Sequence, residues 1–286
     1  MVHLYYEQSE KDDPHMNNIL QNISPSTIPL AMDANKMAFG SLLGRLPHAE
    51  FHEEPGLCWF ETGVPSGLFN GVLQTHVEPA ALPTTIERVL THFQQRRLPF
   101  QWHIGPSSSP TNFGDLLDAN GIGHVEDEPG MAVDLLMLNE ELTVSSNVVF
   151  HAVTDDEQLR QWTRVWGCGA PEEAIQQCFA VYSGLLALSK TALRLYFGII
   201  AGEPVATVAL FFGAGVAAIE HVVTIPQVRR QGIGAAITLM AAQEARAQGY
   251  RVGVLTSSPM GFNIYSRIGF REYCTFSTYE WEPDRP

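Results

Sequence analysis

The sequence predicts a mixed α/β protein made of two halves of similar size in tandem order, and three observations carry that reading. Over 147–286, β-branched apolar runs alternate with Ala-rich or amphipathic stretches in the order β-α-α-β-β-β-α-β-α-β. Over 83–138 a shorter α-β-α-β order repeats the end of that series. Charge divides the chain as well: residues 1–146 hold 6 Lys/Arg against 19 Asp/Glu, whereas 147–286 hold 11 against 12. Such asymmetry points to two units with different surfaces. A length of 286 residues with 45% hydrophobic content is enough for one large domain or two ordinary ones.

In the first half, PTTIERVLTHFQQRR (83–97) has a helical pattern, PFQWHIG reads as a strand, NFGDLLDANG as a short helix and GMAVDLLML as a strand. His48 and His52 lie four residues apart with Glu50, Glu53 and Glu54 nearby, a spacing that on a helix could share zinc. Pro47 and Pro55-Gly56 bracket them, however, and predict a loop, so no metal is expected there. The acidic, Ser-rich stretch LNEELTVSSNVVF marks the join between about Leu138 and Asn147, and the units are taken as 1–142 and 143–286.

In the second half, NVVFHAVT (147–154) reads as a strand, and Asp155 and Asp156 supply an N-cap and an acidic first turn to EQLRQWTRVW. Pro171 with Glu172 and Glu173 opens a helix through about Leu188. Residues 192–215 form two strands around the turn AGEP, and 216–225 a further strand rich in Val and Ile. GIGAAITLMAAQEARAQG (232–249) is helical and stops at Gly249. RVGVLTS, PMGFNIYSRIG and FREYCTFSTYEW follow as strand, short helix and strand.

Composition excludes several classes. A net charge of −14 argues against general affinity for nucleic acid or anionic membrane. No apolar run approaches the roughly 20 residues of a membrane helix. The stretch MVHLYYEQSEKDDPHMNN lacks the basic and apolar regions of a signal peptide, and Cys58, Cys168, Cys178 and Cys274 are scattered without a CxxC pair. A soluble cytoplasmic protein is expected. No Walker loop, Gly-x-Ser-x-Gly elbow or aromatic–basic interleaving occurs.

The sharpest motif is PQVRRQGIGAA, which joins a strand to the Ala-rich helix and places Arg229, Arg230, Gln231, Gly232, Ile233, Gly234 and Ala235 at the helix start. Unpaired amides there carry partial positive charge, and glycines let the main chain approach an anion such as phosphate closely. Tight turns also use Gly for conformational reasons alone. A dinucleotide fingerprint fits less well, because Ile237 stands where G-x-G-x-x-G needs its third glycine.

Arg229-x-x-Gly232-x-Gly234 resembles the acyl-CoA pyrophosphate loop of the GNAT N-acetyltransferase superfamily, and Tyr265-Ser-Arg-Ile-Gly269-Phe270 is similar to its second signature. The element order over about 147–284 matches that fold. The resemblance implies an acetyl-CoA-dependent transfer to a primary amine of a small molecule or peptide, by direct attack in a ternary complex. It implies that main-chain groups of Val223, Thr224 and Ile225 pair with the pantetheine arm, and amides of Arg230 to Ala235 with the pyrophosphate. Tyr265 is the implied general acid for the leaving thiolate, although an aromatic packed in the core fits the same pattern. Glu220, a carboxylate in the apolar strand AAIEHVVTI, is the implied proton relay for the amine; an ion-paired residue is the other reading. His221 is expected on the opposite face of that strand, as a core histidine. Where the superfamily commonly has Asn about seven residues before the Tyr, this chain has Ser258, so water or Asn263 would make that contact.

Setting LLDANGIG against YSRIGF puts Gly121 opposite Gly269, an offset of 148, and then Thr84 opposite Gly232 and Leu117 opposite Tyr265. The first half is therefore read as a degenerate copy that keeps shape without glycine loop or acid, with an unrelated auxiliary α/β domain as the other reading. A tandem of this kind resembles mycothiol synthase and other two-domain acetyltransferases, in which one half is often degenerate. The acidity of the first half would favour a cationic acceptor; a solvated acidic surface that aids solubility is the other reading. The alternative reading is a non-catalytic acyl-CoA-binding or regulatory protein of the same fold. An aminoacyl-tRNA-dependent transferase would need a basic face that this chain lacks.

Overall fold

The computed structural model describes residues 19–141 and 147–283. The expected boundary at 142/143 lies in 142–146, outside the described residues. In the N-terminal half the chain forms α1 (Ile28–Leu43), β1 (Glu50–Glu54), β2 (Leu57–Glu61), β3 (Asn70–Thr75), α2 (Leu82–Arg96), β4 (Phe100–Ile104), α3 (Gly114–Ala119) and β5 (Gly123–Asp134). In the C-terminal half it forms β6 (Val149–Ala152), α4 (Asp156–Trp166), α5 (Glu172–Leu188), β7 (Leu193–Ile200), β8 (Glu203–Gly213) and β9 (Val216–Thr224). The series ends with α6 (Ile233–Ala247), β10 (Val252–Thr256), α7 (Phe262–Ile268) and β11 (Arg271–Trp281).

Local chemistry accounts for the expected elements. Asp155 caps α4 by accepting from the Gln158 amide at 2.8 Å. Pro171 precedes the acidic first turn of α5. Gly121 and Gly269 end α3 and α7 at positive φ, 78° and 118°, as a left-handed helix stop requires. Two expectations need correction. Residues 50–54 are a strand rather than a loop, because Pro55 and Gly56 form the turn of a β1–β2 hairpin and Gly56 takes φ 80°. The strand expected from Gly130 starts at Gly123, because GHVEDEP pairs along its length with β11.

All eleven strands join one sheet in the order β1-β2-β3-β4-β11-β5-β10-β9-β8-β7-β6. The centre of that order is an exchange. β11, from the end of the chain, pairs antiparallel with β4 of the first half, and β5 of the first half pairs antiparallel with β10 of the second. The offset of 148 holds there: α3 starts at 114 and α7 at 262, β5 at 123 and β11 at 271. The repeat is thus a pair of like units, each completed by the other's final strand. Arg251 adds a two-pronged ion pair from the start of β10 to Asp134 of β5, at 2.7 and 2.6 Å.

The core has two layers. On one face α1, α4 and α5 enclose Met32, Trp162, Tyr182, Phe211 and Phe276. On the other, α6 and α7 cover Ala217, Ile219 and Ile237, while α2 and α3 cover Trp59, Phe93 and Trp102. α1 belongs to the first half by sequence yet packs on β8 and β9 as well as on β2 and β3, which ties the halves together a second time. None of the described helices is long and apolar enough to cross a membrane.

Because each half lends a strand to the other, the protein should unfold in one transition. Urea titrations followed by tryptophan emission and far-ultraviolet dichroism should superimpose, and two resolved steps would contradict the exchange as the coupling element. Phe276→Ala, which empties a side chain 2% exposed on β11, should lower the stability of the whole by about 3–5 kcal/mol without splitting the transition.

Candidate active site

The site begins where two parallel strands part. β9 and β10 pair at Ala217–Gly253 and Ala218–Val254, and their register goes no further. Beyond Ala218 only the β8 side of β9 is paired, with Ala209 opposite Glu220, Thr207 opposite Val223 and Ala206 opposite Thr224. Two residues of β9 therefore lie against a single residue of β8, which is a β-bulge. His221 occupies it in the left-handed region at φ 55°. Its carbonyl accepts from the buried Thr207 hydroxyl at 2.9 Å, a contact that holds the irregular main chain in place.

The bulge corrects the expectation for His221. Regular alternation would send it to the face opposite Glu220, but the extra residue breaks the period and both side chains line one cavity. There the His221 ring is hydrogen bonded to the buried Tyr182 hydroxyl of α5. Burial pushes His221 down to about 4, with the Lys36 charge acting the same way, so the ring is neutral near pH 7. Glu220 is pushed up to about 7 by desolvation, with Lys36 lowering it and Glu128 raising it by smaller amounts. A carboxyl titrating near neutrality is suited to taking a proton from an ammonium.

On the other side of β9 lies the glycine loop. Ile225 donates to Val205 O at 3.0 Å and ends the strand, after which 226–228 form one 3-10 turn. Arg230 and Gly232 take φ 63° and 81°, which turns the chain sharply into α6. The hydrogen bonds of α6 start with Ala236 N–H donating to Gly232 O at 3.0 Å. The amides of Ile233, Gly234 and Ala235 thus form the open end of the helix, an arrangement suited to phosphate oxygens. At Gly234 an added Cβ would have the Thr224 hydroxyl 3.6 Å away as its nearest neighbour, so this face of the loop is open. Arg229 folds back, its Nε donating to Thr224 O at 2.9 Å, and braces the loop against the end of β9.

Tyr265 stands on α7, buried beside Ile233, Ile268 and Phe270. Its hydroxyl is pushed up to about 12, chiefly by desolvation and then by the negative charges of Glu220 and Glu128. At neutral pH it therefore carries its proton. Ser258 and Asn263 are exposed. Ser258 serves the fold through its carbonyl, which accepts from the Gly261 and Phe262 amides at 3.0 and 3.2 Å and starts α7.

Sequence reasoning missed Lys36, Tyr182 and Glu128. Lys36 and Glu128 come from the N-terminal half, and only the packing of α1 and the strand exchange brings them to this site. A lone lysine amid the apolar residues of IPLAMDANKMAFGSLL was the available signal for the first.

In the N-terminal half the equivalent cleft is closed. β3 and β4 also pair only twice, at Gly71–Gln101 and Val72–Trp102. Here, however, the chain after β4 turns back into the gap: Ser109 donates to Thr75 O at 2.8 Å and Val77 to Ser109 O at 3.0 Å. The Trp102 indole fills the remainder, donating to the Thr75 hydroxyl at 3.0 Å. α2 starts with Leu82-Pro83 in place of a glycine loop, and Leu117 sits buried at the position matching Tyr265. His52 of the same half stacks on Trp59 at 3.7 Å, and among the described residues no group of three or more His, Cys, Asp or Glu is placed to hold a metal ion.

A strand order completed by exchange, one open cleft and one closed cleft define the chain as a tandem of two acetyltransferase folds. Residues 154–270 match the model of the acetyltransferase (GNAT) family. A GCN5-related N-acetyltransferase from Kribbella flavida superposes with a TM-score of 0.64 at 20% identity, over 88% of this chain and 96% of that one. A tandem GNAT protein from the clavulanic acid biosynthesis pathway superposes with a TM-score of 0.55 at 16% identity, over 92% and 94%. A GCN5-related N-acetyltransferase from Sphaerobacter thermophilus gives 0.56 at 16% identity, over 83% and 76%. No curated protein matches the chain by sequence.

Holding Glu220 protonated in the fold has a cost that depends on pH. Its folded value near 7 exceeds the ordinary 4.5, so the native state binds the extra proton between those values and loses stability as pH rises through them. Glu220→Gln should remove this slope. Melting curves from pH 5 to pH 8 should show the wild type falling relative to the variant, by on the order of 1–2 kcal/mol after allowance for solvent screening; parallel curves would mean an unshifted carboxyl.

Proposed function

We propose that the protein is an acetyl-CoA-dependent N-acetyltransferase acting on the primary amine of a small molecule, with one working site per chain. The observation that carries this reading is the position of Glu220 on the parted stretch of β9, with the cavity on one side and the open α6 loop on the other. Two reactants entering from opposite faces of the sheet would meet at that stretch.

The unpaired amides of Ile233, Gly234 and Ala235, with Arg230, Gln231 and Gly232, would hold the cofactor's pyrophosphate. Main-chain groups of Val223 and Thr224, past the point where β10 stops pairing, would hold the pantetheine arm, with Ile225, whose amide donates to Val205 O and whose carbonyl accepts from Val228, framing its end. The thioester supplies the acetyl group: a C–N bond forms at its carbonyl carbon as the C–S bond breaks. Glu220 takes a proton from the acceptor ammonium, which must be neutral to attack. Tyr265 keeps its own proton at neutral pH and donates a hydrogen bond to the sulfur as negative charge develops there. Full transfer from a phenol near 12 to a thiolate whose thiol titrates near about 8.5 runs uphill, so the phenol acts as a hydrogen-bonding acid and the proton taken from the ammonium completes the thiol. Exclusion of water from a cleft between packed helices strengthens both effects. The closed cleft of the N-terminal half supports a single cofactor site. The non-catalytic alternative keeps the loop but gives no role to Glu220 and Tyr265.

Thiol release measured with acetyl-CoA and a panel of primary amines tests the assignment, and absence of turnover on every amine would reject it. Tyr265→Phe should lower kcat by about 10²-fold or more while KM for acetyl-CoA stays within about threefold. Wild-type kcat/KM should rise with pH to a plateau above about 7, where Glu220 is ionised, and Glu220→Gln should flatten that rise. Calorimetry should give one equivalent of acetyl-CoA per chain. Two equivalents would contradict the closed N-terminal cleft.

A further inference from the structure

The cavity beside Glu220 has a size and lining that select its occupant. Its volume is about 180 Å³, and an apolar cavity of about 150 Å³ is known to accept benzene. There is room for one ring or one branched aliphatic body. Phe39, Leu43, Phe60, Leu73 and Phe211 form apolar walls, and four of these five come from the N-terminal half.

Lys36 of α1 is the single cation among the lining residues. Among the described residues no carboxylate lies within ion-pair distance of its ammonium, which sits over the Phe276 ring at 4.8 Å from the centroid. Asp33, one turn earlier, is engaged elsewhere, accepting from the Ser107 amide at 2.7 Å. The Lys36 charge acts on both Glu220 and His221, so ammonium and carboxyl face the same space. The Lys36 charge also reaches Asp33, but neither carboxyl makes a direct ion pair with the partly desolvated ammonium, which a ligand carboxylate would supply.

We propose that the acceptor is an α-amino acid with a compact apolar side chain, its carboxylate held by Lys36, its amine facing Glu220 and its side chain filling the cavity. This rests on the acyl-transfer reading above and specifies its substrate class. A polyamine would set a second ammonium against Lys36 and apolar walls, and a simple apolar amine would leave Lys36 unpaired. The reaction consumes an ammonium and acetyl-CoA and yields an N-acetyl amino acid, CoA thiol and one proton. The product amide has lost the charge that faced Glu220, which favours release.

The test compares leucine and phenylalanine with isopentylamine and phenethylamine, their counterparts without the carboxylate, and with spermidine. Thiol release and product mass are followed for the wild type, Lys36→Gln and Lys36→Arg, each checked for an unchanged melting temperature. The wild type should prefer the amino acids by about tenfold or more in kcat/KM, as expected for a charged hydrogen bond. Lys36→Gln should erase that preference mainly through KM, leave the amines within about threefold, and be partly rescued by Lys36→Arg. Equal wild-type turnover of amines and amino acids would overturn the inference, as would a uniform loss on every acceptor in Lys36→Gln. Turnover of amines or spermidine but of no amino acid overturns this inference alone. Turnover of no acceptor, with acetyl-CoA still bound by calorimetry, removes the acyl-transfer reading and this inference with it.

Discussion

After Ala218, β9 turns away from β10, and main-chain groups that a regular sheet would pair are left facing a gap. The departure is held from three directions. β8 pairs with β9 on the far edge, the Thr207 hydroxyl fixes the bulge at His221, and Arg229 ties the strand's end to the loop that follows. Unpaired main-chain polar groups away from water are costly, so a fold that maintains such a gap needs either a ligand or a substitute. The two halves illustrate both solutions. In the N-terminal half 105–110 and Trp102 supply the substitute, whereas the C-terminal half keeps the gap beside an open helix end.

The closed half still shapes the site through the exchange. β5 occupies the position between β10 and β11, and α1 reaches across to pack on β8 and β9. Removing the first half would take one neighbour from β10, one wall from the cavity and Lys36 from its lining. The half without a glycine loop thus contributes shape and charge on the cavity side of β9 rather than on the α6 side.

The features legible in the sequence were local ones. The offset of 148 could be read because a short helix, a left-handed glycine and a strand leave the same trace twice, at Gly121 and at Gly269. The loop at Gly232 and the N-cap at Asp155 were legible for the same reason: their chemistry lies within a few residues. What escaped depends on pairing between distant segments. The start of β5 at Gly123, seven residues ahead of the expected Gly130, depends on β11 lying beside it. His221 obeys strand alternation in sequence and breaks it in the fold, because a bulge is decided by the register with β8. Lys36 gives no sign of facing Glu220, since 184 residues separate them and only the packing of α1 across the sheet unites them.

The electrostatics of the site follow from burial acting on groups of different intrinsic acidity. Desolvation raises both Glu220 and Tyr265, yet it moves the carboxyl into the neutral range and the phenol further out of it. One environment therefore yields a group able to take a proton near pH 7 and another that keeps its proton there, the separation that acid and base roles require. Charges from the other half adjust the balance in opposite senses: Lys36 favours the ionised form of Glu220, and Glu128 opposes it. Glu128 also keeps Tyr265 protonated, so its single charge supports the donor while restraining the acceptor of protons. Flooding the cleft with water would weaken all of these couplings at once, because they depend on low local polarity more than on any one contact. That dependence links the chemistry back to the sheet: the strand exchange and the helices packed on both faces are what withdraw Glu220 and Tyr265 from water.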